Sequence, residues 1–484
     1  MPRAKATTLP IVAAAAYVAA AAAAAAVGFR FWVPWVVVQL LDQTALAREP
    51  VRALLALHAQ PPALNAVLAA ALRVAALAGR GPEVLLAPLF FLLGGLVVVL
   101  LALLVRRLTG SSALALGAAL LAAADPALHV YGTVYFYELP LAALLLVALA
   151  AALRYLESGR ERHLAAFVLA VGGMSLLRSL YHPLWAAAML ALLLWGRSRL
   201  APGERRRAAW VRGAALLAFL VAVWPLKNAL LFGTPVTSSW GGYNLSRGTP
   251  VRHPALWQYI ETGTVPPALE REWGRRAPAF LRDAPVLVAP VKTTAHRNWN
   301  HYIFLLTSRE LAREALRWRR EHPREWLRQA AANYLLWGRA SYLDSYWGRP
   351  RGPDHPLYQD YVRWHERLFF PDLRGPIERL TRGAPVHGLT TVWGGPAPYT
   401  LFAVAGLPLL LAAVAFLLPR RLRAGPEAWV ALLALAALLW VLVVPCLTDG
   451  TEGNRMRYPV SPCVLLLAAW IAAVAVPKAP APEK

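Results

Sequence analysis

Residues 84–104 read VLLAPLFFLLGGLVVVLLALL, without one charged side chain, and Arg106-Arg107-Leu108-Thr109-Gly110 follows. A helix needs about 20 apolar residues to cross a bilayer, so this stretch reads as a span with a basic stop. Working outward, nine more stretches are candidates: 9–28, 112–125, 138–153, 163–178, 182–196, 209–228, 399–418, 426–445 and 460–476. The fold class expected is an all-α polytopic membrane protein of about 10 spanning helices. The whole composition agrees. Hydrophobic residues make up 58% of the 484 and charged residues 16%, against roughly 45–50% and 25% in soluble domains. A soluble enzyme, a disordered chain and a disulfide scaffold are excluded. The two cysteines, Cys446 and Cys463, also lack metal-ligand spacing.

The formal charge is +24. It reads as topology and lipid contact rather than nucleic acid, because the basic residues sit between apolar runs. Arg106, Arg107, Arg154, Arg160, Arg162, Arg197, Arg199, Arg205, Arg206, Arg207, Arg420, Arg421 and Arg423 fall in alternate loops. The positive-inside rule makes those loops cytosolic, with both termini, in a plasma (inner) membrane. One further apolar stretch, 62–78, follows Pro61-Pro62 and carries Asn65 and Arg73. If it crossed, every later loop would change sides, so it is expected to be interfacial or re-entrant. Three regions follow: a transmembrane module 1–228, an extracytoplasmic insertion 229–398, and C-terminal helices 399–484. The insertion holds 23 of the 50 Lys/Arg and 14 of the 26 Asp/Glu. Long loops translocate largely regardless of charge. Helical periodicity predicts two helices over 309–337, broken at His322-Pro323.

A carboxylate beside hydrocarbon is costly, which makes an acid at a span end a site candidate. Asp42 follows Val36-Val37-Val38-Gln39-Leu40-Leu41 in the first outer loop, ahead of Leu57-His58-Ala59-Gln60-Pro61-Pro62. Glu138 ends the aromatic run Tyr131 to Tyr137 in the second outer loop. The two are expected to line one cavity. Guanidinium groups, the natural clamps for phosphate, are also on that face. Arg178-Ser179-Leu180-Tyr181-His182-Pro183 forms a short hairpin, and Arg455 and Arg457 precede the last span. The insertion contributes aromatics such as Trp240, Trp299 and Trp337, and the stretch through Tyr243-Asn244-Leu245 reads as an acceptor or donor loop.

This order of elements resembles the GT-C superfamily of membrane glycosyltransferases. It is most similar to bacterial protein O-mannosyltransferases and lipid A aminoarabinose transferases. The first helix leads to an acid, Asp42; a His-x-x-Pro-Pro-like element follows at His58 to Pro62; then come the span 84–104, an Ala/Leu helix and Glu138. The resemblance covers roughly residues 1–230. It implies a polyprenyl-phosphate sugar as donor, a lipid, glycan or protein as acceptor, and inversion at the anomeric carbon on the extracytoplasmic side. Asp42 would be the general base and Glu138 would assist it or position the acceptor. His58, Arg178, His182, Arg455, Arg457, Tyr137, Tyr243 and Asn244 would bind donor phosphate or substrate. Gln43 stands where the family usually has a second acid, so no cofactor is expected and a divalent metal is not indicated. No Gly-x-Gly-x-x-Gly in a strand–helix setting supports a nucleotide-sugar donor. The competing readings are a lipid-linked oligosaccharide ligase or polymerase, and a transporter or flippase. Nearly charge-free span centres weigh against transport.

Overall fold

The computed structural model describes residues 4–202, 207–282, 284–343, 351–374, 376, 399–423, 425–448 and 453–475. It is a multi-pass helical membrane protein. Among the described residues there is no strand, only isolated β-bridges.

The membrane module starts with α1 (Ala4–Ala26). A loop layer follows, holding the short helices α2 (Gln43–Arg48), α3 (Pro50–Ala56) and α4 (Ala63–Ala76). The chain then threads α5 (Glu83–Thr109), α6 (Ser112–Ala124) and α7 (Pro126–Gly132). After these come α8 (Glu138–Ser158), α9 (Glu161–Leu177), α10 (Pro183–Leu200) and α11 (Arg207–Phe232). Seven helices of the described chain are long and apolar enough to cross a membrane, or eight if the bent pair α6–α7 counts as one span. The sequence expectation of about ten exceeds this for a physical reason. Helix α9 has only 17 residues, and α10 ends with Arg197 and Arg199 inside its 18. Both still pack in the bundle, α9 against α8 and α11, α10 against α9 and α11.

Local chemistry sets the breaks. Pro126 lacks an amide hydrogen and cannot continue α6. Asp125 caps the next turn by accepting from the Ala127 amide at 2.9 Å, and the two pieces bend by 57°. Helix α4 has 14 residues, which span only about 21 Å, short of the roughly 30 Å hydrocarbon layer. Its Asn65 holds it in the loop layer. The side-chain oxygen accepts from the Leu41 amide at 2.8 Å and the amide nitrogen donates to the Gln39 carbonyl at 3.1 Å.

Helix α8 is the centre of the bundle, with Ala142, Leu145, Ala148, Leu149 and Ala152 all buried. In lipid, small residues stabilise helix pairs by letting backbones approach, since lipid tails are as apolar as leucine. One end of the bundle is rich in arginine: Arg107 pairs with Glu157 at 2.6 Å, and Arg197 donates to the Leu156 carbonyl at 2.8 Å. The other end carries the loop layer and the insertion.

Within the insertion, α12 (Gly241–Arg247), α13 (Pro254–Thr262), α14 (Pro267–Arg276), α15 (Ala279–Arg282) and α16 (Pro285–Val288) precede two longer helices. These are α17 (Ile303–Glu321) and α18 (Pro323–Trp337), divided at His322-Pro323. The amphipathic α19 (Pro356–Phe369) comes next. Trp240, Leu256, Tyr259, Ile303, Phe304 and Leu311 form a small core with Ala59 of the first loop. Helix α18 lies on the C-terminal helices. Asn333 donates to the Cys446 carbonyl at 2.9 Å, and the Trp337 indole donates to the Val441 carbonyl at 3.0 Å. The chain ends with α20 (Leu407–Arg421, preceded by a π-helical turn Phe402–Gly406), α21 (Pro426–Thr448), α22 (Gly453–Arg457) and α23 (Ser461–Ala475).

Candidate active site

At the loop-layer end, a cavity of about 290 Å³ opens between the bundle and the insertion. Distant parts of the sequence build it: Gln39 and Gln60 of the first loop, Tyr137 before α8, Arg178 and His182 between α9 and α10, Trp240 and Asn244 of the insertion, and Arg455 of α22.

Its charged floor is a shared acid. Glu138 is fully buried in the first turn of α8. Its Oε1 lies 3.2 Å from Arg455 Nε and 3.6 Å from Arg178 Nη1. Tyr137 completes the group. The Arg178 guanidinium lies 4.3 Å from its ring centre, and Arg455 Nη2 donates to its hydroxyl at 3.4 Å. Burying a carboxylate costs several kcal/mol unless it is paired; here one acid is set between two cations. Among the described residues one carboxylate faces two guanidinium groups, a donor set that suits an anion. Both arginines line the cavity, and Arg178 Nη1 has no hydrogen-bond acceptor among the described residues.

His182 caps α10. Its Nδ1 accepts from the Leu184 amide at 3.2 Å, and burial holds the imidazole below its ordinary pKa. In the neutral ring the proton therefore sits on Nε2. The insertion wall depends on Gly242. A Cβ there would stand 1.9 Å from the Ser308 carbonyl oxygen, so α12 reaches its place on α17 only with glycine.

The other candidates lie elsewhere. Asp42 is buried and does not line the cavity. It caps α2 by accepting from the Ala45 amide at 3.1 Å. Its second oxygen accepts from the Thr293 amide at 2.6 Å and the Thr293 hydroxyl at 2.8 Å. Next to Thr293, Lys292 donates to the carbonyls of Trp35, Val37 and Leu40 at 3.1, 3.2 and 3.3 Å. Burial lowers its ammonium to about 8, against the pull of Asp42. His58 is also buried. Its Nδ1 sits 2.8 Å from the Ser239 hydroxyl, and its carbonyl accepts from the Ser239 amide at 2.9 Å. Burial, with Lys227 and His301 nearby, pushes its pKa well down. It fastens the first loop to the insertion, two residues before Gln60. Arg457 leaves the cavity for the rings of Phe370 and Phe402, each 4.8 Å away, and donates to Ser341 Oγ at 3.2 Å. Tyr243 packs on Trp299 and Phe304, while its neighbour Asn244 does line the cavity.

The structure thus brings together Glu138, Tyr137, Arg178, His182, Asn244 and Arg455, and separates them from Asp42. No carboxylate is among the described residues lining the cavity. Asp449 and Glu452, which precede Arg455 in the chain, fall outside the described residues. Two glutamines complete the wall. Gln39 is the one polar residue in the stretch 36–41, and Gln60 sits inside the His58-to-Pro62 element, so both had a visible signal. Arg247, also in the wall, had none.

Residues 59–225 match the family of dolichyl-phosphate-mannose-protein mannosyltransferases. The matched segment is of the GT-C glycosyltransferase type. It is about a third of the chain and carries Gln60, Tyr137, Glu138, Arg178 and His182. Asp42, His58, the insertion wall and Arg455 lie beyond it. No curated protein and no solved structure matches the chain.

Proposed function

We propose that this membrane glycosyltransferase moves a sugar from a polyprenyl-phosphate donor to an acceptor hydroxyl, with inversion, on the extracytoplasmic side. The observation that carries the reading is the Arg178–Glu138–Arg455 group under the cavity. A phosphate leaving group needs charge stabilisation more than protonation, and fixed cations in a dry cleft supply it. Glu138 holds both guanidinium groups in place. His182 and Asn244 donate to the donor's oxygens. The lipid tail lies against the spans. The arginine-rich end of the bundle faces the cytosol under the positive-inside rule, so the cavity opens on the opposite side.

Asp42 is the base assigned to the acceptor hydroxyl. It sits three residues after cavity-lining Gln39, and in the acceptor-free protein Thr293 occupies its second oxygen. Asp42 lies outside the cavity, so in this reading the first loop parts from the insertion as the acceptor enters, and the acceptor hydroxyl replaces the Thr293 hydroxyl. The test uses purified protein in nanodiscs with a panel of polyprenyl-phosphate sugars and mixed acceptors. Transfer by the wild type and its loss in Arg178→Ala and Asp42→Asn support the proposal. Binding of donor without any transfer, or transfer that survives both substitutions, overturns it.

A further inference from the structure

Helix α19 carries two unlike apolar surfaces. Tyr358, Val362 and His365 face inward and are buried. Beside them, Leu357, Tyr361, Trp364 and Leu368 follow one another at spacings of four, three and four residues, which places them in one row along the helix. Leu357 is 67% exposed, Trp364 56% and Leu368 54%. A row of this size on a water-facing helix would be a liability.

The row's surroundings show what covers it. Tyr361, its second member, donates its hydroxyl to the carbonyl of Ala124, the last residue of α6. One turn earlier on α6, Leu120 and Leu121 are exposed apolar side chains of the bundle surface. Phe29, just beyond the end of α1, meets the Tyr358 ring edge-on at 5.0 Å. Helix α19 therefore lies at the depth where two membrane helices end, and its apolar row continues their exposed surface. The next face of α19 carries Asp360, Arg363 and Arg367, charged groups suited to the headgroup layer. Trp is the residue type that favours this boundary.

We propose that α19 is an interfacial helix, with Leu357, Trp364 and Leu368 dipped into the bilayer, so that the insertion rests on lipid beside α6. The occupant is the acyl boundary of the membrane, as for amphipathic helices lying in the interface plane. The proposal rests on the multi-pass fold and is independent of the reaction assigned to the cavity.

Site-directed spin labelling of the full chain in nanodiscs tests it. The native Cys446 and Cys463 are buried and form the labelling background. Labels go at Leu357→Cys, Trp364→Cys and Leu368→Cys, with Asp360→Cys and Arg363→Cys as the water-side comparison. The expected result is relaxation by oxygen exceeding that by a water-soluble nickel chelate at the three row positions, and the reverse at the other two. Three row positions are read separately, so one misfolded variant leaves two. Nickel-dominated relaxation at Trp364→Cys and Leu368→Cys overturns the proposal. So does shielding from both reagents, which means that a second copy of the chain or the insertion itself covers the row.

Discussion

The carboxylate of Asp42 accepts both the amide of Thr293, at 2.6 Å, and its hydroxyl, at 2.8 Å. The insertion thus holds the acid of the first loop, and the two halves of this contact can be separated by mutation. Thr293→Val removes the hydroxyl bond and keeps the amide bond. Stability should fall by about 1 kcal/mol, the net worth of one such bond, while sugar transfer is kept. Asp42→Asn should lower kcat by about 10²- to 10⁴-fold, the range of general-base contributions. Thermal unfolding and steady-state transfer rates measure the two effects.

Glu138→Gln keeps the shape of the cavity floor and removes its only negative charge among the described lining and floor residues. Two guanidinium groups are then left side by side without their carboxylate. Breaking a buried ion pair from one side costs about 3–5 kcal/mol, so the variant should melt well below the wild type. Adding polyprenyl phosphate should restore part of the loss, because the phosphate supplies the missing charge. A melting temperature equal to wild type would show that Glu138 does not organise the two arginines.

Arg178→Lys tests geometry instead of charge. Lysine keeps the cation but loses the planar fork and the stacking on Tyr137. The KM for donor should rise by about tenfold, equivalent to about 1.4 kcal/mol, with only a small change in stability. Donor titrations at fixed acceptor check it.

His365 supplies the pH prediction. Burial, with the nearby charge of Arg457, lowers its imidazole to about 4, and Tyr342 lies 3.0 Å from Nδ1. The unfolded chain takes up the proton near pH 6.5 and the folded one only near 4. Stability is therefore greatest above about 6.5 and falls as pH drops through this window. His365→Gln should flatten the decline by up to a few kcal/mol. Melting curves between these two pH values, wild type against variant, measure it.

Gly242→Ala should disturb the wall without touching any charge. The added methyl meets the Ser308 carbonyl at 1.9 Å, so α12 must lift from α17. Overpacking of this kind costs about 1–3 kcal/mol. The KM for donor should rise together with a lower melting temperature, because Trp240 and Asn244 move with the helix.

Much of this was legible from local pattern. Long apolar runs with basic ends give the bundle, and Glu138, Arg178 and Arg455 stood out as charges at span ends. What local pattern cannot give is direction. Arg455 and Arg457 are two residues apart, which on a helix turns them by about 200°. One faces the cavity and the other a nest of aromatic rings. Nor can it give pairing over distance. Asp42 reads as an isolated acid, because its partner Thr293 is 251 positions away. The expected span count exceeds the number of helices long and apolar enough to cross because helices packed inside the bundle carry glycine or terminal arginine instead of a full apolar length, as α9 and α10 do.

Glu138 draws one of its cations from a neighbouring hairpin and the other from a turn more than three hundred residues downstream. A fragment that stopped after α11 would contain every position of the family match and still lack half of its anion clamp. Chimeras that graft this N-terminal module onto another protein's tail should therefore fold poorly or sit idle unless the tail brings an arginine of its own to the same spot.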